Sequence, residues 1–236
     1  LERVRQDFVA NVSHELRTPV AVIVGWLERI TDMTLPDEAR EAFLTVQTHA
    51  SRLQTLVADL LTLSRLESVG LQEGFVETDL VHVVGEAVRA LGPLAESKSV
   101  GVTVEIDEPA RYVQSEPRAL AYVVRNLVDN AVKYTPAGGA VAIRARVAEG
   151  NQLRIEVTDT GIGIAPVHAV RIFERFYRVD AGRSREMGGT GLGLSIVKHF
   201  ALALGGDVTV ASETGKGSTF TVSLPPESWQ AAQESG

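Results

Sequence analysis

The 236-residue sequence has no cysteine, which excludes disulfides and thiolate metal sites. No apolar run approaches the roughly 20 residues that span a bilayer, and no signal-peptide pattern is visible. Basic residues are in deficit: 23 Lys and Arg stand against 30 Asp and Glu, for a net charge of −7. That balance argues against a nucleic-acid partner, whose phosphates need a basic patch. The five histidines, at 14, 49, 82, 168 and 199, show no paired metal-ligand spacing. What is there is an ordinary globular composition, 44% hydrophobic and 22% charged, long enough for one large or two modest domains. The sequence opens at Leu1, inside a helical pattern and without Met, and is read as the cytoplasmic part of something longer.

Apolar residues at Leu1, Val4, Phe8, Val12 and Leu16 mark a helix over about residues 1–33, bent near Pro19. Thr34–Asp37 is a turn, and a second helix runs over about 37–68. Its Phe43, Val46, Ala50, Leu53, Val57, Leu60 and Ser64 alternate steps of three and four, a near-heptad seam. Two such helices form a hairpin that cannot enclose its own apolar face. A homodimeric four-helix bundle buries it, and docking on the rest of the chain is the alternative. Ser68–Asp79 reads as a linker. Beyond it, helices are expected over Leu80–Ser97, Glu116–Tyr134 and Gly191–Leu204. Strands are expected over Val100–Ile106, Ala140–Val147, Leu153–Asp159, Val208–Ser212 and Ser218–Leu224. The fold class is α+β: a helical hairpin, then strands with helices on one face.

His14 lies two positions from both Val12 and Leu16, so at about 100° per residue it projects away from the apolar stripe. Glu15 sits beside it. An exposed imidazole next to a carboxylate can act as a nucleophile, although a lone helical His is more often a solvated side chain. Four later stretches change that balance. In Asn126-Leu127-Val128-Asp129-Asn130-Ala131-Val132-Lys133-Tyr134, Asn126 and Asn130 share a helix face. Their neutral oxygens suit Mg²⁺, and Lys133 offers a charge for phosphate. In Asp159-Thr160-Gly161-Ile162-Gly163, an acceptor-only carboxylate after a strand can bind an amino group such as that of adenine. Ile172–Arg178 mixes aromatics that are either core or lid anchors with Arg175 and Arg178, which are either phosphate partners or surface charge. Gly188-Gly189-Thr190-Gly191-Leu192-Gly193-Leu194 enters a helix as an anion-binding nest. It lacks the Gly-Lys-Ser/Thr ending of a P-loop.

The ordered set, with the His14 segment, resembles the sensor histidine kinases of two-component signalling over about residues 1–225. The H box matches at Phe8–Pro19, the N box at Asn126–Tyr134 and the G1 box at Asp159–Gly163. The F box matches at Phe173–Arg178 and the G2 box at Gly188–Leu194. The H-box sequence looks most like the subgroup that includes phosphate-regulon sensors. The resemblance implies a dimerisation and histidine phosphotransfer domain at 1–68. It implies a Bergerat-type α/β sandwich that binds ATP at 75–225. His14 then accepts the γ-phosphoryl group, Glu15 takes or polarises its ring proton, and Asn130 holds Mg²⁺ with Asn126 assisting. Asp159 reads adenine, Gly161 and Gly163 let the backbone approach the ligand, and Tyr134 lies along the base. Lys133 and the Gly189, Thr190, Gly191, Leu192, Gly193 loop hold phosphates, with Arg175 and Arg178 neutralising charge. Thr18 either positions water for dephosphorylation of a partner or supports the turn before Pro19. The implied partners are a second copy of the chain and the receiver domain of a response regulator. Membrane attachment comes only through segments absent from this sequence, which is then the cytoplasmic portion of a membrane sensor. The alternative is an ATPase or nucleotide-binding scaffold on the same GHKL-type fold, without phosphotransfer.

Overall fold

The computed structural model describes residues 20–28, 30, 36–69, 74–179 and 189–226. The described residues fall into two compact units. One takes its residues from 1–70 and 180–193, the other from 71–179 and 194–236.

In the first unit, a helix over residues 20–28 (α1) and the long helix Asp37–Val69 (α2) meet through a small core. Val20, Val24, Leu27 and Ala50 are buried there, with Phe43 packed against them. The spacing of Val20, Val24 and Leu27 by four and three residues puts them on one helical face. Of the predicted seam in α2, Ala50 and Val57 are buried, whereas Val46 and Leu53 are exposed.

The second unit is a two-layer sandwich. Its five-stranded sheet has the order β2-β4-β5-β7-β6. The strands are Gly101–Ile106 (β2), Ala140–Ala148 (β4), Gln152–Asp159 (β5), Asp207–Glu213 (β6) and Gly217–Leu224 (β7). Only β2 and β4 pair in parallel; the other neighbours are antiparallel. Strand β5 shows why one face is the core. Leu153, Ile155, Val157 and Asp159 alternate as buried residues with the more exposed Gln152, Arg154, Glu156 and Thr158. The open face carries ion pairs such as Arg146–Glu156 and Arg144–Glu105. Helices Leu80–Ser97 (α3) and Pro117–Tyr134 (α4) pack against each other and the sheet. Helix Gly193–Ala203 (α6) reaches the same layer, where Phe200 meets Tyr122 of α4 at a ring separation of 5.3 Å. A four-residue turn of helix, Pro166–Ala169 (α5), precedes the F-box stretch.

One segment differs from the sequence expectation. Val76–Asp79 (β1), expected within a linker, pairs antiparallel with Tyr112–Ser115 (β3), for which no element was anticipated. The pair sets up both helix starts. Asp79 ends β1 and caps α3, accepting from Val81 N–H at 2.9 Å. Glu116 follows β3 and caps α4 by accepting from Ala119 N–H.

Candidate functional site

Helix α4 carries eight buried apolar residues on its inner face, from Ala119 to Val132. That burial turns Asn126 and Asn130, one turn apart, to its half-exposed flank. Among the described residues neither carboxamide has a hydrogen-bond partner, so both oxygens remain available as ligands. Lys133 does have a partner: its Nζ donates to Asp129 Oδ2 at 2.6 Å, an ion pair one turn apart. The end of α4 is held firmly. The Lys98 ammonium donates to the Val132 and Lys133 carbonyls, both at 2.8 Å. Burial pushes the Lys98 pKa down from its ordinary value. Those two carbonyls have lost their helical partners, and a cation at a helix C-terminus also meets the macrodipole favourably.

The G1 loop is joined to that helix end. Ile162 N–H donates to the Tyr134 carbonyl at 3.2 Å. At the loop's start, Asp159 Oδ1 accepts from Gly161 N–H at 2.8 Å and from Ser218 N–H at 3.2 Å. Both donors fall on one oxygen. Among the described residues none meets Oδ2, which leaves an acceptor for an outside donor. Burial raises the Asp159 pKa, and the two backbone donors partly oppose that rise. Two glycines permit the approach of the neighbouring chain. Gly163 has φ +66°, and a Cβ there would collide with the Glu213 carbonyl. Gly217 has φ +109°, and a Cβ there would run into the Asp159 carbonyl. Gly215 N–H donates to the Ile162 carbonyl at 2.8 Å, so the β6–β7 turn and the G1 loop are stitched together.

In the F-box stretch the aromatics divide. Phe173 packs edge-on against core Phe220 at 6.4 Å. Phe176 instead lies exposed with φ +61°. Arg175 Nη2 meets His199 Nε2 at 3.4 Å, while His199 Nδ1 meets the Ser195 carbonyl at 2.8 Å. A carbonyl only accepts and a guanidinium only donates. The two contacts suit the tautomer with its proton on Nδ1. His168 Nδ1 bonds the Tyr177 hydroxyl at 2.6 Å, and the Arg171 guanidinium lies 4.3 Å from the Tyr177 ring centre.

In the other unit, the G2 loop presents Gly189, Thr190, Gly191 and Leu192 ahead of Gly193. Gly191 has φ +76°. Thr190 Oγ1 donates to Asp59 Oδ2 of α2 at 2.7 Å, and Leu192 N–H donates to Thr190 Oγ1 at 3.2 Å.

His14, Glu15 and Thr18 lie outside the described residues. So Asn126, Asn130, Lys133, Tyr134, Asp159, Gly161, Gly163, Arg175 and Arg178 belong to the sandwich, and Gly189–Gly193 to the unit of the helix pair. Asp59 and His199 were not read as site-forming from the sequence. Asp59 had one signal, a lone acid within the apolar run Val57-Ala58-Asp59-Leu60-Leu61.

Two protein families match in tandem. Residues 4–69 match the His Kinase A (phospho-acceptor) domain. Residues 115–228 match the histidine kinase-, DNA gyrase B- and HSP90-like ATPase. The chain belongs to the sensor histidine kinases of two-component systems. The Sensor-like histidine kinase SenX3 of Mycolicibacterium smegmatis is 40% identical over 99% of this kinase chain and 62% of its own length. The Sensor protein SrrB of Staphylococcus aureus is 37% identical over 95% of the chain and 39% of its own length. The kinase chain thus spans about three fifths or less of the curated relatives it matches. Among solved structures, full-length ShkA in complex with AMPPNP superposes with TM-score 0.77 at 30% identity, over 93% of this chain and 45% of its own. The Acinetobacter baumannii histidine kinase AdeS gives TM-score 0.64 at 26% identity, over 90% and 97%. Among the described residues, no helix of the kinase is long and apolar enough to cross a membrane.

Proposed function

We propose that the chain binds Mg-ATP in the sandwich and transfers the γ-phosphoryl group to its own His14, then to an aspartate of a response-regulator receiver domain. The observation that carries the nucleotide reading is Asp159, with Oδ1 held by two backbone donors and Oδ2 left open. An acceptor so fixed suits the exocyclic amino group of adenine. A similar protein has been seen with AMPPNP, an ATP analogue, which supports the same reading.

The Asn126–Asn130 face, with no partner among the described residues, would offer carboxamide oxygens to a hard cation such as Mg²⁺. The described residues hold no cluster of three or more His, Asp or Glu that could bind a metal alone. Asn130 would supply an oxygen to Mg²⁺, with Asn126 assisting. When bound, Mg²⁺ neutralises phosphate charge. Lys133 and the Gly189–Gly193 loop hold phosphates, and Tyr134 lies along the base. Lys133 reaches phosphate by exchanging its Asp129 partner, and Arg175 by leaving His199.

In the transfer, the distal nitrogen of neutral His14 forms a bond to the γ-phosphorus as the bond to the ADP oxygen breaks. Glu15 takes or polarises the proton on the other ring nitrogen. The phosphoryl group then passes from His14 to the receiver aspartate. Thr18, one helical turn from His14, orients water for hydrolysis of that phospho-aspartate. The chain acts as a homodimer, as the cytoplasmic portion of a membrane-anchored sensor.

The test is incubation with γ-³²P ATP and Mg²⁺. Acid-labile, alkali-stable label on the protein is expected. ATP hydrolysis without label would make the chain an ATPase on the shared fold, and nucleotide binding with neither would make it a scaffold.

A further inference from the structure

The last turn of α4, from Ala131 to Tyr134, carries the carbonyls that a helix leaves without intrahelical donors. Each of them is taken, and from three different places. The Ala131 carbonyl accepts from Thr135 N–H at 3.1 Å and from Thr135 Oγ1 at 2.6 Å. The Val132 and Lys133 carbonyls both accept from the Lys98 ammonium. The Tyr134 carbonyl accepts from Ile162 N–H of the G1 loop. Lys98 itself is the C-cap of α3, and its own carbonyl accepts from Gly138 N–H at 3.0 Å. One residue of the α3 end thus grips the chain before and after the turn that leaves α4. Among the described residues no carboxylate pairs with Lys98, so its ammonium is committed to the two carbonyls.

This clamp lies one peptide from the bond on which the G1 loop hangs. Ile162 follows Gly161, whose N–H holds the Asp159 carboxylate at 2.8 Å. Without the ammonium, two partly buried carbonyls lose their donor, the last turn of α4 loosens, and the Tyr134 carbonyl shifts under Ile162. We infer that Lys98 is a positioning residue for nucleotide binding, fixing the end of α4 from which Tyr134 and the Asp159 loop take their places. Every residue involved belongs to the sandwich. The inference rests on the reading of Asp159 as the adenine contact. Lys98 acts through α4 and touches no nucleotide.

The experiment compares the full chain with Lys98→Met and Asp159→Asn, using Mg-ADP in calorimetry and amide hydrogen exchange. Met keeps the length of the side chain and removes its charge and donors, and it strands no acid. Lys98→Met should bind Mg-ADP about tenfold more weakly, the lower end of what supporting partners of a binding group contribute. Its Ile162 amide should exchange faster than in the parent, while the Ile155 and Val157 amides of β5 keep their protection. Circular dichroism establishes folding; if Met is not folded, Lys98→Gln, with a shorter neutral donor, carries the test with the same expected direction. Parent-like Mg-ADP affinity in the folded variant overturns the inference. So does weaker binding with an equally protected Ile162 amide, and so does loss of protection at Ile155 and Val157, which would make Lys98 a general support of the sheet. Unaltered affinity in Asp159→Asn overturns the adenine reading and this inference together. Weakened Asp159→Asn beside an unaltered Lys98 variant overturns the inference alone.

Discussion

In the helix pair, Val22, Ile23, Trp26, Leu44, Val46 and Leu53 are between 44% and 60% exposed, although Val20, Val24, Leu27 and Ala50 are buried. In the sandwich, Leu80, Leu120, Leu127, Ile143, Leu153 and Ile155 are all at 0%. The sandwich closes its own core. The helices close one face and leave further apolar side chains exposed on both arms. Burying an apolar side chain of this size is worth about 1.5–3 kcal/mol, so half a dozen exposed on one helix pair is a strong drive towards association. The contrast supports a division of labour in which the sandwich completes its own core and the helix pair is the part drawn towards association.

The sharpest way to break that division is His14→Gln. Autophosphorylation should vanish while calorimetric affinity for Mg-ATP stays near the parent value. Substantial phosphohistidine in the variant would move the acceptor to His49, His82, His168 or His199. Next in size is Thr18→Ala, which should keep autophosphorylation but slow dephosphorylation of a phosphorylated receiver domain on the order of 10²-fold, as expected when a water-orienting hydrogen bond is lost. Phosphate release followed with ADP and Mg²⁺ decides the point. Equal rates would leave Thr18 as only a support for the turn before Pro19.

Asp159→Asn acts on the other side of the comparison. An amide can set a donor where the adenine amino group needs an acceptor, so ATP affinity should fall about tenfold or more. Stability should move the opposite way. Burial raises the Asp159 pKa in the folded chain. The folded state therefore binds the proton more tightly than the unfolded state. The favourable contribution of Asp159 is complete below the ordinary carboxylate range and is lost as pH rises through the raised value. At neutral pH the Asn variant, which keeps the acceptor oxygen, should melt above the parent, and the gap should close on acidification. A gap that is constant with pH would argue against burial as the cause. The smallest expected effect is that of Trp26→Ala. Sedimentation equilibrium should show the dimer weakened about tenfold, the usual size for loss of one interfacial aromatic anchor, with ATP affinity unchanged. A parent that is already monomeric at micromolar concentration would remove the basis of the contrast.

Much of this architecture was legible from periodicity. Leu80–Ser97 is seen with the bounds its apolar spacing predicts, and Asp37–Val69 extends one residue past its expectation. Long amphipathic helices announce themselves because many residues vote for the same face. The β1–β3 pair did not, because four residues such as Val76-Glu77-Thr78-Asp79 carry too few alternations, and their partner lies far along the chain. The Asp159-Thr160-Gly161-Ile162-Gly163 stretch was visible as a ligand-approaching loop, but the second donor to its carboxylate, from Ser218, was not. Asp129 stands four residues before Lys133, so their pairing could have been read from spacing alone. Asp59 had only its place in an apolar run as a signal, and the fold is what shows that it is buried.

The bond from Ser218 to Asp159 also sets an order of assembly. The carboxylate comes from the end of β5, but one of its two donors comes from β7, 59 residues later. In the sheet, β7 lies between β5 and β6, so it must insert beside a strand made long before it. During synthesis the helix of Asn126 and Asn130 and the strand bearing Asp159 emerge early. The carboxylate stays half-tethered until β7 has left the ribosome and paired across its full length. A nascent chain halted after β6 therefore carries Asn126, Asn130 and Asp159 and yet lacks one of the two backbone donors that hold the Asp159 carboxylate. Nucleotide binding, on this view, certifies that the sheet is finished.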